Sequence, residues 1–151
     1  SGFDYDKNML KVIADTNTFV VIQHSQGSPE NMQINPQYEN IIDEIFLNLK
    51  AKIKLAIDSG IKPEKIIADP GIGFGKTKEH NKQIITRFDE FASLGVPLMV
   101  GISRKSFLDV EKESNETKDI YTLAINSKLI DKNANFLRVH NVALHKKLLQ
   151  F

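Results

Sequence analysis

The stretch Ile66–Lys76, IIADPGIGFGK, constrains this chain most. Three apolar residues run into one carboxylate, Asp69, and Pro70 then stops the strand at a loop with glycine at positions 71, 73 and 75. Proline cannot continue a strand ladder, and glycine lets backbone approach a ligand or take positive φ. A buried strand that delivers one acid into a glycine loop suggests a ligand site; the plainer reading is a tight strand-to-helix turn. Two better-known glycine motifs fail. A phosphate-binding loop ending at Gly75, Lys76 and Thr77 needs glycine where Pro70 stands, and a dinucleotide fingerprint from Gly71 and Gly73 needs glycine or alanine where Lys76 stands.

The 151 residues, 41% of them hydrophobic, suffice for one domain with a real core, read as residues 1–151. Twenty basic against nineteen acidic residues leave a formal charge of +1, so no global field favours nucleic acid or an anionic membrane. The chain has no cysteine, which excludes disulfides and thiolate metal sites and fits a reducing compartment. No apolar run reaches membrane-spanning length and the first residues lack a signal-peptide pattern, so the expectation is a soluble, cytoplasmic protein. Ser1 is not an initiator methionine, and Ser1 to Asp6 reads as a tag remnant or a cut edge.

Along the chain, Asp4 or Asp6 caps a first helix that buries Met9, Leu10, Val12 and Ile13. Thr18–Ile22 reads as a strand covered on both sides, ended by Gln23 and His24. A polar loop with Gly27, Pro29 and Pro36 follows. A long helix then runs from about Gln37 to Ser59, closed by Gly60. After the strand Ile66–Ala68 come a helix Glu79–Leu94, a strand Pro97–Ile102 ending in Ser103 to Ser106, and a helix Glu116–Asp131. The strand Phe136–Val139, ending at His140 and Asn141, leads to a last helix Val142–Gln150 carrying Leu144, Leu148 and Leu149.

Helix, then strand and helix repeated, makes a parallel α/β sheet with right-handed crossovers, either doubly wound or a piece of a (β/α) barrel. Polar residues at every strand's carboxyl end favour the barrel: Gln23 and His24, Asp69, Ser103 to Ser106, then Arg138 and His140. A barrel brings all four ends to one face, whereas a doubly wound sheet gathers only those near its switch point. Arg138 and His140, two apart in a strand, leave on one side and reach one anion. Arg104 and Lys105 add cations, and a helix start near Ser106 would add backbone N–H donors. Asp69 suits an amidine-like edge with two donors, and Phe74 offers a ring face. Singly, each has a structural alternative: Asp69 as a helix cap, Arg104 and Lys105 as solvated charges, Arg138 in an ion pair, His24 as a hydrogen-bonded core histidine. His80 and His145 read as surface residues. His140 and His145 are five apart, not four, so no metal cage is expected.

The segments DPGIGFGK (Asp69–Lys76), VGISRKSF (Val100–Phe107), RVHNV (Arg138–Val142) and the looser HSQGSPENMQ (His24–Gln33) resemble, in order and spacing, the dihydropteroate synthase family of folate biosynthesis. The resemblance implies a TIM-type (β/α)8 barrel, of which this chain would be the carboxyl-terminal half of about four strand-helix units, with Ser1 and Gly2 just after strand four. It also implies that p-aminobenzoate displaces pyrophosphate from a dihydropterin diphosphate, the diphosphate departing before attack. By motif, Asp69 and Lys105 bind the pterin, Gly101 and Phe74 line its pocket with Gln23 beneath, and Arg138 and His140 bind the diphosphate. Arg104 and Ser106 lie toward the aminobenzoate. Lys105, Arg138 and His140 would carry the catalysis.

Mg²⁺ is expected with the diphosphate, its usual protein ligand falling in the missing amino-terminal half. The family often has methionine where Gln23 stands and aspartate where Asn141 stands. The helix after Glu116 lacks the small residues expected of a family-like homodimer. The other readings are a pterin-binding methyltransferase domain, against which SRKSF and RVHNV argue, and a noncatalytic fragment. Four strands leave two open sheet edges, so the isolated chain is expected to be inactive and to associate through them or depend on the other half.

Overall fold

The computed structural model describes residues 3–149 apart from residues 5, 7, 29 and 109. Ser1, Gly2, Pro29, Gln150 and the side chain of Leu149, all used in the sequence reading, lie outside the described residues. The elements are α1 (Asn8–Thr16), β1 (Val20–Gln23), α2 (Ile41–Asp58), β2 (Ile66–Asp69), α3 (Lys78–Thr86), β3 (Leu98–Val100), α4 (Asn115–Asp131), β4 (Ala134–Leu137) and α5 (Val142–Lys146).

The four strands form one parallel sheet in chain order, β1-β2-β3-β4. A doubly wound sheet would reverse its strand order at a switch point. Consecutive order with helical crossovers is instead a barrel sector, so the chain is a half barrel. β1 and β2 align with Gln23 opposite Asp69, and the ladder between β3 and β4 slips between Leu98 and Met99.

One core lies between sheet and helices. β2 is buried along its whole length, and from α2 the residues Ile41, Ile42, Ile45, Leu49, Ile53 and Ala56 face it at helical spacing. α2 begins at Ile41 rather than Gln37, because the Asn40 side chain accepts the Asp43 N–H and caps it there; Gly60, at φ 93°, follows its end.

The helix expected over Glu79–Leu94 is instead α3 followed by a 3-10 stretch, Phe88–Leu94, with Gly95 at φ 75° beyond it. Arg87 leaves helical geometry and pairs with Glu90 at 2.5 and 2.8 Å. Three residues per turn put Phe88 and Phe91 on one face, and both are fully buried with their rings 6.2 Å apart.

The outer elements differ from expectation. Val21 and Phe19 are 40% and 59% exposed, so β1 is covered on one face only. The Asp6 carboxylate accepts the Asn8 N–H at the start of α1, but Met9 and Val12 are exposed and Ile13 alone of α1 is buried. β4 ends at Leu137, so Arg138 and His140 lie past the strand and its alternation does not orient them. Around Ser106 there is one 3-10 turn, Ser106–Leu108, too short for a helix N-terminus. α5 gives way to a 3-10 turn, Lys147–Leu149. Among the described residues no helix is long and apolar enough to cross a membrane.

Candidate active site at the carboxyl ends of the strands

Asp69 ends β2 with 3% of its surface exposed, and one carboxylate oxygen accepts the Gly71 N–H at 2.7 Å. Burial pushes its carboxyl upward, while that N–H and the cations of Lys105, Arg138 and Lys76 pull it back. Gly71 holds φ +71°, and a Cβ there would stand 1.9 Å from the His24 carbonyl oxygen. The glycine is what lets β1's end and the loop meet over the acid. Gln23, in register with Asp69, has a buried Nε2 with no hydrogen-bond partner, a donor left for a ligand.

The loop is held from several sides. The Gly73 N–H donates to Asn81 Oδ1 at 2.8 Å, and Asn81 Nδ2 donates to the Thr77 carbonyl at 2.9 Å. Tyr38 donates its hydroxyl to the Gly75 carbonyl at 2.9 Å; burial pushes the phenol up to about 12. Lys105, from the end of β3, donates to the Ile72 carbonyl and stands 4.6 Å from the centre of the Phe74 ring. Burial lowers this ammonium to about 8, against the opposing pull of Asp69. Sequence reasoning missed Lys76. It is 3% exposed, with Nζ 2.9 Å from His24 Nδ1 and 3.0 Å from the Phe74 carbonyl, and burial lowers it to about 7. Burial and then the Lys76 charge push His24 down to about 3. His24 is thus a buried, hydrogen-bonded histidine. The signal for this pair was the lysine at the loop's end, but its partner is 52 residues away.

Just past β4, the Arg138 N–H donates to the Val100 carbonyl at 2.9 Å. Its guanidinium lies against Gly101, where a Cβ would come within 2.9 Å of Nη2. His140 Nδ1 is 2.8 Å from Ser103 Oγ, which also accepts the His140 N–H at 3.3 Å. Arg138 and His140 each rest on the chain just past β3, the first on Gly101 and the second on Ser103. Both are exposed.

Arg104, at φ 58°, does not stand as a solvated cation. Its Nε and Nη2 donate to the two Asp119 carboxylate oxygens at 2.8 and 3.0 Å, and Asn141 Nδ2 adds a third bond at 3.1 Å. The Arg104 hydrogen bond holds the Asp119 carboxyl below the usual range. Since Asn141 also caps α5, this cluster ties the end of β3 to α4 and α5. Ser106 is exposed on the wall of a cavity of about 490 Å³ that Gln33, Phe74, Lys76, Lys105 and Phe107 also line.

His80 completes the capping box of α3 with Thr77, and its ring meets Tyr38 edge-on at 5.0 Å. His145, expected at the surface, is buried, with Nδ1 2.9 Å from the Asn141 carbonyl. Among the described residues no three His, Asp or Glu side chains stand together as a metal site.

A parallel half barrel that gathers one buried carboxylate, an unpartnered amide donor and three cations at its carboxyl-terminal face matches the family model described as pterin binding enzyme over residues 1–140. The chain belongs to that family. It is 34% identical over 146 residues to the dihydropteroate synthase of Haemophilus influenzae, covering 96% of this chain and 53% of the relative. Among solved structures, it superposes on the Yersinia pestis dihydropteroate synthase in a sulfonamide drug complex with TM-score 0.91, at 30% identity over 97% of this chain and 54% of that one. For the Thermus thermophilus dihydropteroate synthase in complex with 4-aminobenzoate, the TM-score is 0.90, at 29% identity over 99% and 61%. The chain spans about half the length of the curated relatives it matches.

Proposed function

We propose that this chain is the pterin- and diphosphate-binding half of a dihydropteroate synthase, joining p-aminobenzoate to a dihydropterin diphosphate in the cytoplasm, and that turnover requires the remaining half of the barrel. The observation that carries the reading is Asp69: a carboxylate sealed at a strand end, surrounded by cations, beside the unsatisfied Gln23 amide.

In this reading Asp69 accepts two N–H donors from the aminopyrimidine edge of the pterin, and Gln23 supplies a donor below it. Lys105 and Phe74 face the ring, and Gly101 leaves room for ring and guanidinium together. The C–O bond to the methylene breaks with its electron pair passing to the departing diphosphate, whose growing charge Arg138 and His140 stabilise. The arylamine nitrogen then forms the C–N bond and loses a proton. Ser106 lies on the aminobenzoate side, and Arg104, fixed by Asp119, shapes the loop that presents Lys105 and Ser106. Mg²⁺ neutralises diphosphate charge when bound. The described residues do not make a cage for it, and the steps given to this chain run through its own side chains.

Calorimetry with a pterin diphosphate tests this. Wild type should bind, and Asp69→Asn should weaken binding by about 10- to 100-fold, the loss of a charge-assisted hydrogen-bond pair. Equal binding by both proteins would overturn the reading.

A further inference from the structure

Lys76 has no role in the reading above, yet it is a buried amine on the wall of the same cavity as Phe74, Lys105 and Ser106. Its two polar contacts, His24 Nδ1 at 2.9 Å and the Phe74 carbonyl at 3.0 Å, are both acceptors when the imidazole is neutral with its proton on Nε2. A neutral amine has two N–H bonds and one lone pair. Those acceptors take both N–H bonds and leave the lone pair unengaged, on a residue that lines the cavity.

Resting on the synthase reading, we propose that Lys76 is the general base that takes the proton the arylamine nitrogen must lose when its bond to the pterin methylene forms. The balance is complete. The C–O bond breaks and diphosphate keeps the pair; the nitrogen lone pair makes the C–N bond; the N–H pair stays on nitrogen, and the proton moves to Lys76 Nζ. The ammonium then returns it to solvent or to the departing diphosphate.

The surroundings fit that task. His24, at the end of β1, stays neutral across the working range, so it continues to accept from Lys76 rather than repel it. Asp69 from β2 favours the charged form, whereas Lys105 from β3 and, above all, burial favour the neutral one. Lys78 and Glu111 on the cavity wall are of opposite sign. Lowered to about 7, the amine is brought toward neutral pH, where a general base works best.

Two measurements decide it. In the first, selectively labelled chain is titrated by NMR, with Lys76 assigned by its loss in Lys76→Met. A Lys76 midpoint between about 6 and 8 is expected, and one near 10 overturns the proposal, whether or not the chain turns over. In the second, dihydropteroate formation is followed in the barrel completed by its other half. Lys76→Met should lower kcat by about 100-fold with KM little changed, and flatten the acid limb of the kcat profile. Lys76→Arg keeps charge and donors but cannot accept a proton, so it should be as slow. Rescue by arginine would make Lys76 a positioning or charge residue and sink the base role. An inactive wild-type barrel would overturn the synthase reading instead, leaving the titration to judge Lys76.

Discussion

The centre and the flanks of this sheet are built to different standards. β2 is buried at every residue and hands its acid to a loop pinned by Asn81, Tyr38, Lys76 and Lys105. β1 and β4 keep large apolar side chains in the open, with Val21 40% and Phe136 43% exposed, and Val142 at the start of α5 is 66% exposed. An apolar cavity of about 560 Å³ also runs along β4, between Phe136 and His145, whose buried Nε2 has no partner. The part of the site that carries Asp69 is thus packed and hydrogen-bonded within this chain. Arg138 and His140, proposed above for the diphosphate, stand exposed on the unfinished side. In the proposed reading, this division would let one half barrel hold a pterin pocket and still need the other half for turnover.

If the contrast is real, a methyl group added at the centre should do far more harm than one at the rim. Gly71→Ala would put Cβ 1.9 Å from the His24 carbonyl oxygen in a backbone conformation that L-residues avoid. We expect a loss of more than about 4 kcal/mol, enough to leave the chain unfolded in circular dichroism. A folded Gly71→Ala protein with ordinary stability would break the comparison.

A smaller, pH-dependent effect separates the same regions. Lys76 is lowered from 10.5 to about 7 in the folded chain, so between those values the unfolded chain binds more protons. Stability therefore rises with pH across that window. In thermal melts from about pH 7 to about pH 10, Lys76→Met should show a clearly shallower rise. Some rise should remain, because Lys105 is lowered to about 8 and acts in the same direction. His24, lowered from 6.5 to about 3, acts in the same sense on the acid side, its contribution fading as pH falls through that window. Identical slopes for the two proteins would mean that the amine is hydrated.

Gly95→Ala is the rim counterpart of the first substitution. Gly95 has a similar φ, +75°, but a Cβ there meets nothing within 4 Å. Only the left-handed backbone resists the new side chain, and a loss of about 1 kcal/mol in chemical denaturation is expected.

The sequence made the centre legible and the flanks less so, for physical reasons. Asp69, Pro70 and the glycines carry their geometry locally, so the β2 end and its loop could be read from eleven consecutive residues, Ile66 to Lys76. Apolar spacing located α2, but not the break at Arg87, because residues three apart share a face in either type of helix. β4 was placed too far along the chain, since PheLeuArgVal alternates as plausibly as AlaAsnPheLeu and an edge strand has weak burial to fix its frame. The ties Arg104–Asp119, His24–Lys76 and His140–Ser103 join residues distant in sequence, and no periodicity announces them. His145 is buried by tertiary packing near a chain end that reads as amphipathic surface.

The smallest expected effect on stability tests the flank itself. Phe136→Lys places a charge on an exposed side chain of β4, whose outer backbone groups have no neighbouring strand among the described residues. Much of the side chain already stands in solvent, so the unfolding free energy should change by less than about 0.5 kcal/mol. Association should change more, because an apolar edge strand templates contact with other chains and an edge lysine opposes it. Light scattering over a range of concentrations should show wild-type chain gaining mass and Phe136→Lys gaining less. If wild type stays monomeric throughout, the edge is already protected and the contrast between centre and flank concerns burial alone. If Phe136→Lys costs several kcal/mol, Phe136 belongs to the core and the flank is not the open side of the molecule.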